Sequence, residues 1–333
     1  MIAESAWDAA VAALSTAGAV TVACHIHPDG DALGSVLALG QALRNRGTRV
    51  TVSFSEPYVV PAQLRILPGQ DLLVPPADVP NENEVFVAVD TASAQRLGTL
   101  RERAESAARL IVLDHHASNS GFGDVLLLDT DAAAAGLVVA ELIDRLRIPY
   151  DSGIAACLYA AIASDTGSFR FGNTTPDTHL LAARLLSVGF PHDELNRSLF
   201  DTRPAGWLRM LAGALDRAVI EPFALAGVGL VWTAVTAADL ARDGLPFDQA
   251  ESVIDVLRTT ENAGVAAVFK EQSPGVWIVS TRSRGRWDVA TACTALGGGG
   301  HRFAAGYTAY GELPAVVAQL RAALDGTESA AAG

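Results

Sequence analysis

Three short, almost wholly apolar runs, each stopping at histidine or aspartate, constrain this chain more than any other feature. Residues 20–24 run into His25-Ile-His27-Pro28-Asp29-Gly30-Asp31, residues 85–89 into Asp90, and residues 110–113 into Asp114-His115-His116. Runs of about four to eight aliphatic and β-branched residues are what parallel strands look like when both faces are buried. Residues 32–46 carry apolar side chains at Leu33, Val36, Leu37, Leu39 and Leu43, the spacing of an amphipathic helix. Strand and helix continue to alternate to about residue 147, which predicts an α/β fold: an N-terminal parallel sheet with helices on both faces. In such a sheet, ligands lie beyond the carboxyl ends of the strands, where these acids and imidazoles stand.

Asp29 and Asp31 are two apart at the head of the helix, so their carboxylates diverge, which suits two neighbouring cations better than one. A further acid, Asp165, follows the apolar stretch 154–163, which reads as a buried helix, and precedes the turn Thr166-Gly167-Ser168. A lone aspartate at a strand end is usually a turn or helix cap, and adjacent histidines are usually hydrogen-bonded structure. Four clusters together supply histidines and aspartates without a cysteine. That donor set suits Mn²⁺ or Mg²⁺ better than structural zinc, and a carboxylate-bridged pair of such ions activates water and clamps a phosphoryl oxygen.

These residues resemble the motifs of the DHH/DHHA1 phosphoesterases. The naming triplet stands as Asp114-His115-His116, the first motif as HIHPDGDALGS (25–35), the second as VAVD (87–90) and the fourth as SDTGSFR (164–170). GGGGHRFAAG (297–306), after STRSRG (280–285), is similar to the DHHA1 signature. The length and the full second half look most like the nanoRNA-degrading branch, manganese-dependent oligoribonucleases that also dephosphorylate 3′-phosphoadenosine 5′-phosphate, some acting on cyclic di-AMP or pApA. The resemblance implies His25, Asp29 and Asp90 on one Mn²⁺, and Asp31, Asp90, His115 and Asp165 on a second, with Mg²⁺ or Co²⁺ as alternative ions. It implies His116 facing the scissile phosphate and Asp114 orienting its neighbours. It also implies that the second half binds the nucleotide end away from the metals, that the active cleft lies between two domains, and that the protein is a homodimer. His27 stands where many relatives carry Asn and is not counted as a ligand.

The 333 residues suit two domains, expected as a DHH catalytic domain over 1–201, a linker over 202–218, a smaller α/β DHHA1 domain over 219–325 and a disordered tail over 326–333. Pro176, Pro191 and Pro204 mark expected helix starts. The three cysteines, Cys24, Cys157 and Cys293, are unclustered in apolar runs and read as reduced core thiols. The N-terminus carries acids before any basic residue, unlike a signal peptide, and the longest uncharged apolar stretch, 223–235, is short of the roughly 20 residues of a membrane span. A soluble cytoplasmic protein is expected.

The net charge of −13 argues against binding long nucleic acid, which needs a broad basic surface. Residues 270–302 reverse the balance, holding Lys270, the chain's one lysine, and Arg282, Arg284, Arg286 and Arg302 against Glu271 and Asp288. Consecutive glycine amides can ring an anion. Arg282, Ser283, Gly298, Gly299, Gly300 and His301 are therefore the candidate substrate-binding residues. The expected activity is hydrolysis of very short nucleotides by a metal-activated water. The alternatives are a family II-like pyrophosphatase, whose C-terminal half normally lacks the GGGGH signature, a single-strand-DNA exonuclease, disfavoured by the acidic balance, and a nucleotide sensor without catalysis.

Overall fold

A computed structural model describes residues 2–285 and 287–327, and the chain falls into two compact units divided between Thr202 and Arg203. In the first unit, α1 (Glu4–Thr16) leads into β1 (Ala19–Ala23), α2 (Gly30–Asn45) and β2 (Arg49–Ser53). Short 3₁₀ turns then precede β3 (Val85–Val89), followed by α3 (Arg101–Glu105), β4 (Leu110–Asp114), β5 (Val125–Leu128), α4 (Ala135–Arg145), α5 (Ser152–Asp165), α6 (Pro176–Val188) and α7 (His192–Asn196). The sheet is parallel throughout, in the order β2-β1-β3-β4-β5.

Alternate side chains of each strand enter different cores. Val20, Val22, Val87, Val89, Ile111 and Leu113 pack with residues of α1, α2, α4 and α5. Ala23, Phe86, Ala88, Leu110 and Val112 pack on Val79, Leu97, Leu100 and Ala104. This two-sided burial is the reason β3 and β4 read as unbroken apolar runs. The strand order reverses between β1 and β3, so the first two aspartate-bearing strand ends flank the switch point, where an open α/β sheet leaves a crevice.

The apolar stretch after Asp151 is indeed a helix, α5, with Ile154 to Ala163 buried. It packs against α2 at unusually close range, which glycines permit. A Cβ at Gly30 would lie 1.8 Å from Ser164 Oγ, and one at Gly34 would lie 2.6 Å from Cys157 O. Pro176 starts α6 inside a Thr175 capping box, whereas Pro191 and Pro204 are the residues just outside their helices.

The second unit contains α8 (Ala205–Asp216), β6 (Val219–Glu221), β7 (Leu230–Val235), α9 (Ala237–Asp243), α10 (Val253–Leu257), β8 (Val265–Ser273), β9 (Val276–Ser283), α11 (Val289–Ala295), β10 (Gly299–His301), β11 (Ala304–Tyr310) and α12 (Leu313–Asp325). Its mixed sheet has the order β10-β11-β9-β8-β7-β6, with only β7 and β8 parallel. One face carries α11 and α12, and Met210 and Ala214 of α8 join Val231, Ala266 and Val268 on the other.

One expectation is corrected here. Residues 202–218 are not a linker, because α8 buries its apolar side into the second unit's core. At the end of the glycine run, Gly299, Gly300 and His301 pair with Gly306, Ala305 and Ala304 as a strand. Residues 328–333 of the expected tail lie outside the described residues. Among the described residues no helix is long and apolar enough to cross a membrane.

Candidate metal centre

The loop after β1 buries the His25 ring, whose Nδ1 lies 2.7 Å from the carbonyl oxygen of Ile26. A carbonyl only accepts, so Nδ1 carries a proton and Nε2 is the atom left to meet a cation. That Nε2 lies 3.4 Å from Asp90 Oδ2 and 3.9 Å from Asp29 Oδ2. Asp29 divides its oxygens between two tasks: Oδ1 accepts from Ala32 N at 3.0 Å and caps α2, while Oδ2 faces the imidazole. His115, at the end of β4, repeats the arrangement. Its Nδ1 lies 3.2 Å from Ala132 O, and its Nε2 lies 3.3 Å from Asp165 Oδ2, 3.5 Å from Asp90 Oδ1 and 3.7 Å from Asp31 Oδ2.

Asp90 stands between the two histidines, 3% exposed, with its backbone at φ 54°. Left-handed backbone at a non-glycine residue tends to mark a functional position, and here it turns a carboxylate off the strand end into the crevice. Asp31 is fully buried, accepting from Ala135 N (2.6 Å), Gly136 N (2.9 Å) and Ser35 Oγ (3.0 Å). Asp114 is equally buried, with Oδ1 2.8 Å from His116 Nδ1 and Oδ2 accepting from Asn119 Nδ2 at 2.7 Å.

Within the first unit, ligand-type atoms therefore gather in three groups, each within 4.8 Å: His25, Asp29 and Asp90; Asp31, His115 and Asp165; and Asp90, Asp114 and His116, the first and last sharing Asp90. The residues fit divalent cations. The donors are carboxylate and imidazole, and burial, reinforced by Asp90, pushes the neighbouring Cys24 thiol well up, so no thiolate competes. Burial and then Asp90 raise Asp31 to about 7, and burial and then Asp31 raise Asp165 well above the usual carboxylate range. Burial opposes the charge on His115, yet Asp90, Asp31 and Asp165 hold its pKa at about 11. Burial likewise opposes ionisation of Asp90, but His115 and His25 keep it well below the usual carboxylate range. Asp90 Oδ1 is buried without a hydrogen bond among the described residues. Crowded carboxylates that resist ionisation beside an acceptor lacking a donor form the environment that a cation relieves.

His27 is exposed at φ 54°, outside all three groups. Asn, Asp and His tolerate left-handed backbone better than other residues, so the position selects for conformation. Beyond Asp165, Gly167, Ser168 and Phe169 adopt φ of 56°, 57° and 63°. For the two residues with side chains this costs about 1–2 kcal/mol each.

A model of the DHH family's N-terminal domain matches residues 19–162, and a DHHA1 domain model matches residues 231–327. A bifunctional oligoribonuclease and PAP phosphatase, NrnA, of Thermus thermophilus is 33% identical over 88% of this chain and 85% of its own. The chain belongs to the DHH/DHHA1 family. An exopolyphosphatase-related protein of Bacteroides fragilis shares the fold, with TM-score 0.88, 22% identity and 98% of each chain covered. So does the RecJ–Mn²⁺ complex of T. thermophilus, with TM-score 0.53 and 18% identity over 95% of this chain and 54% of that one.

In the DHHA1 half, Arg282 and Ser283 end β9, and the register aligns Arg282, Ala304 and His301 across β9, β11 and β10. Directly opposed residues of neighbouring strands share a face, so Arg282 and His301 flank Ala304 on one side of the sheet. Two of the glycines serve packing: a Cβ at Gly298 would meet Gly306 O at 2.1 Å, and one at Gly300 would meet Ala304 O at 2.6 Å. Gly299 has open space beside it. Ser35, Asn119 and the amides of Ala135 and Gly136 were not anticipated. Only Asn119, polar and five residues beyond Asp114, left a local signal.

Proposed function

We propose that this protein is a divalent-cation-dependent phosphodiesterase and phosphatase of short nucleotides, with Mn²⁺ as its working ion. Its substrates would be oligoribonucleotides of a few residues, pApA or cyclic di-AMP, and 3′-phosphoadenosine 5′-phosphate. As a DHH/DHHA1 member it is a hydrolase of phosphoric esters, and the name of the Thermus relative supports nucleotide substrates. The observation that carries the reading is Asp90, whose two oxygens face His25 on one side and His115 on the other. That placement supports a bridging role between His25 and Asp29 on one ion and Asp31, His115 and Asp165 on the other.

Two divalent cations held this way would lower the pKa of a bound water and offset charge on the phosphoryl oxygens. The chain's own residues set the rest. Ile26 O and Ala132 O fix the tautomers of His25 and His115, and the amides at the start of α4 fix Asp31. Asp114 orients the His116 ring through Nδ1, and His116 would face the scissile phosphate and offset charge as it builds on a phosphoryl oxygen. Arg282, Ser283, Gly298, Gly299, Gly300 and His301 hold the remaining nucleotide or phosphate. The net charge of −13 favours short ligands over polymers.

The test is a turnover panel of di- to pentaribonucleotides, 20-mers, pApA, cyclic di-AMP, 3′-phosphoadenosine 5′-phosphate and pyrophosphate, with Mn²⁺ supplied. Short nucleotides should be cleaved at least about tenfold faster than 20-mers. Turnover of pyrophosphate alone, or rapid processive digestion of long single-stranded DNA, would overturn the assignment.

A further inference from the structure

The left-handed stretch from Gly167 to Phe169 begins two residues after Asp165. A single left-handed residue commonly closes a helix; three in succession, two with side chains, need support and a purpose. The support is visible. Thr166 Oγ1 donates to Ile162 O at 2.6 Å and accepts from Phe169 N at 3.0 Å, while Arg170 N and Phe171 N donate to Thr166 O at 2.9 and 3.0 Å. The Phe169 ring stacks on His179 with centroids 5.2 Å apart and lies 5.9 Å from Tyr159. Beyond the turn, Asn173 Nδ2 ties the chain back to Asp165 O at 3.1 Å and to Ala133 O at 3.0 Å.

What the turn delivers is Arg170. Its Nε donates to Gly167 O at 2.6 Å, which pins the root of the guanidinium to the turn itself. Gly167 is two residues from Asp165, at most about 7 Å between Cα atoms. The side chain is exposed, and among the described residues it has no ion pair with an aspartate or glutamate and no hydrogen bond at either Nη. An arginine rooted five residues after Asp165 yet paired with no acid among the described residues keeps both Nη groups available for another partner. Two parallel N–H groups match two oxygens of a phosphate, a geometry that lysine cannot supply.

We propose that Arg170 is a phosphate-binding residue of the first unit, presented by the left-handed turn so that both Nη groups engage nonbridging oxygens of the ester being cleaved. This rests on the phosphoesterase reading of the same site. The experiment compares Mn²⁺-loaded full-length wild type, Arg170→Ala and Arg170→Lys. It measures kcat/KM on pApA and on bis(p-nitrophenyl) phosphate, calorimetric affinity for Mn²⁺ and for inorganic phosphate, melting temperature, and rescue by added guanidinium.

Arg170→Ala should lose about 10²-fold in kcat/KM on both substrates, the scale of losing one charge-stabilising donor pair. Phosphate affinity should fall about tenfold, Mn²⁺ affinity and melting temperature should hold, guanidinium should restore part of the rate, and Arg170→Lys should recover little. Activity and phosphate affinity within about threefold of wild type would overturn the proposal. So would a loss that follows Mn²⁺ release or a lower melting temperature and resists guanidinium, because that marks the arginine as a brace for the turn. If the wild type cleaves no phosphoester, the functional reading fails, and the phosphate titration still decides whether Arg170 binds this anion.

Discussion

Replacing Gly34 with alanine tests whether the α2–α5 contact sets the spacing of the candidate ligands. The added Cβ would lie 2.6 Å from Cys157 O and 3.1 Å from Ala161 N, both backbone atoms that no side-chain rotation can clear. Ordinary contact begins at 3.4 Å, so the helices must part by 0.8 Å. Gly34 and Cys157 are buried among close-packed neighbours, so the strain passes along the helices instead of dissipating locally. Overpacking of this kind costs about 1–3 kcal/mol, and in a unit of this size each kcal/mol lowers the melting temperature by about 2–4 °C. The first turn of α2 carries Asp31 and the last of α5 carries Asp165, 3.7 and 3.3 Å from His115 Nε2. A displacement approaching 1 Å between groups that must act together costs about 10²-fold in rate. Gly34→Ala should therefore melt roughly 3–10 °C lower, bind Mn²⁺ more weakly by calorimetry and turn over pApA about 10²-fold more slowly, although it touches no candidate ligand. Gly213→Ala on α8 is the control, since its Cβ would meet nothing nearer than Arg217 Nη1 at 3.5 Å, and it should gain about 0.5–1 kcal/mol. A lower melting temperature with wild-type Mn²⁺ affinity and turnover would refute the claim that this helix contact sets the ligand geometry.

Asp90→Asn should abolish turnover and remove most of the rise in melting temperature that Mn²⁺ gives the wild type, while keeping a native far-UV spectrum; equal activity at matched Mn²⁺ would exclude a bridging role. Arg282→Ala and His301→Ala should lose most activity on pApA yet keep most on bis(p-nitrophenyl) phosphate, because they act on the part of the substrate that the small ester lacks; parallel losses on both would place them at the reacting phosphate. In the second unit, burial opposes the charge on Asp239, but bonds from Thr236 N and Oγ1, both 2.9 Å, and from Arg217 hold its pKa below the ordinary 3.8. A depressed carboxylate contributes stability that is complete above the unfolded value and lost as pH falls through the folded one. Asp239→Asn should thus destabilise this unit by about 1 kcal/mol at neutral pH, with the gap to wild type closing below about pH 3, as urea titrations would show.

The candidate ligands were legible because a buried parallel strand announces itself as an apolar run, and whatever polar residue ends it must face the crevice. Asp90 and Asp114-His115-His116 needed no more than that. The groups that aim these side chains were hidden for an equally physical reason. Asp31 accepts from Ala135 N and Gly136 N, backbone donors with no side-chain signature, on a helix 104 and 105 residues further along the chain. The helix α5 is buried around its whole circumference, so its apolar pattern has no period and cannot say which side meets α2. The glycine run carried a second meaning that the sequence did not show. Gly306 O and Ala304 O occupy the space that side chains at Gly298 and Gly300 would need, so close strand pairing also requires glycine there. Ser168 and Phe169 hold left-handed backbone where sequence would call for glycine or asparagine, and only the bonds to Thr166 and the stacked His179 ring account for it. Ligand identity is a local property of the chain, whereas ligand direction depends on distant backbone and tight packing. Substitutions that touch no acid or histidine, such as Gly34→Ala, therefore probe the half of the site that the sequence conceals.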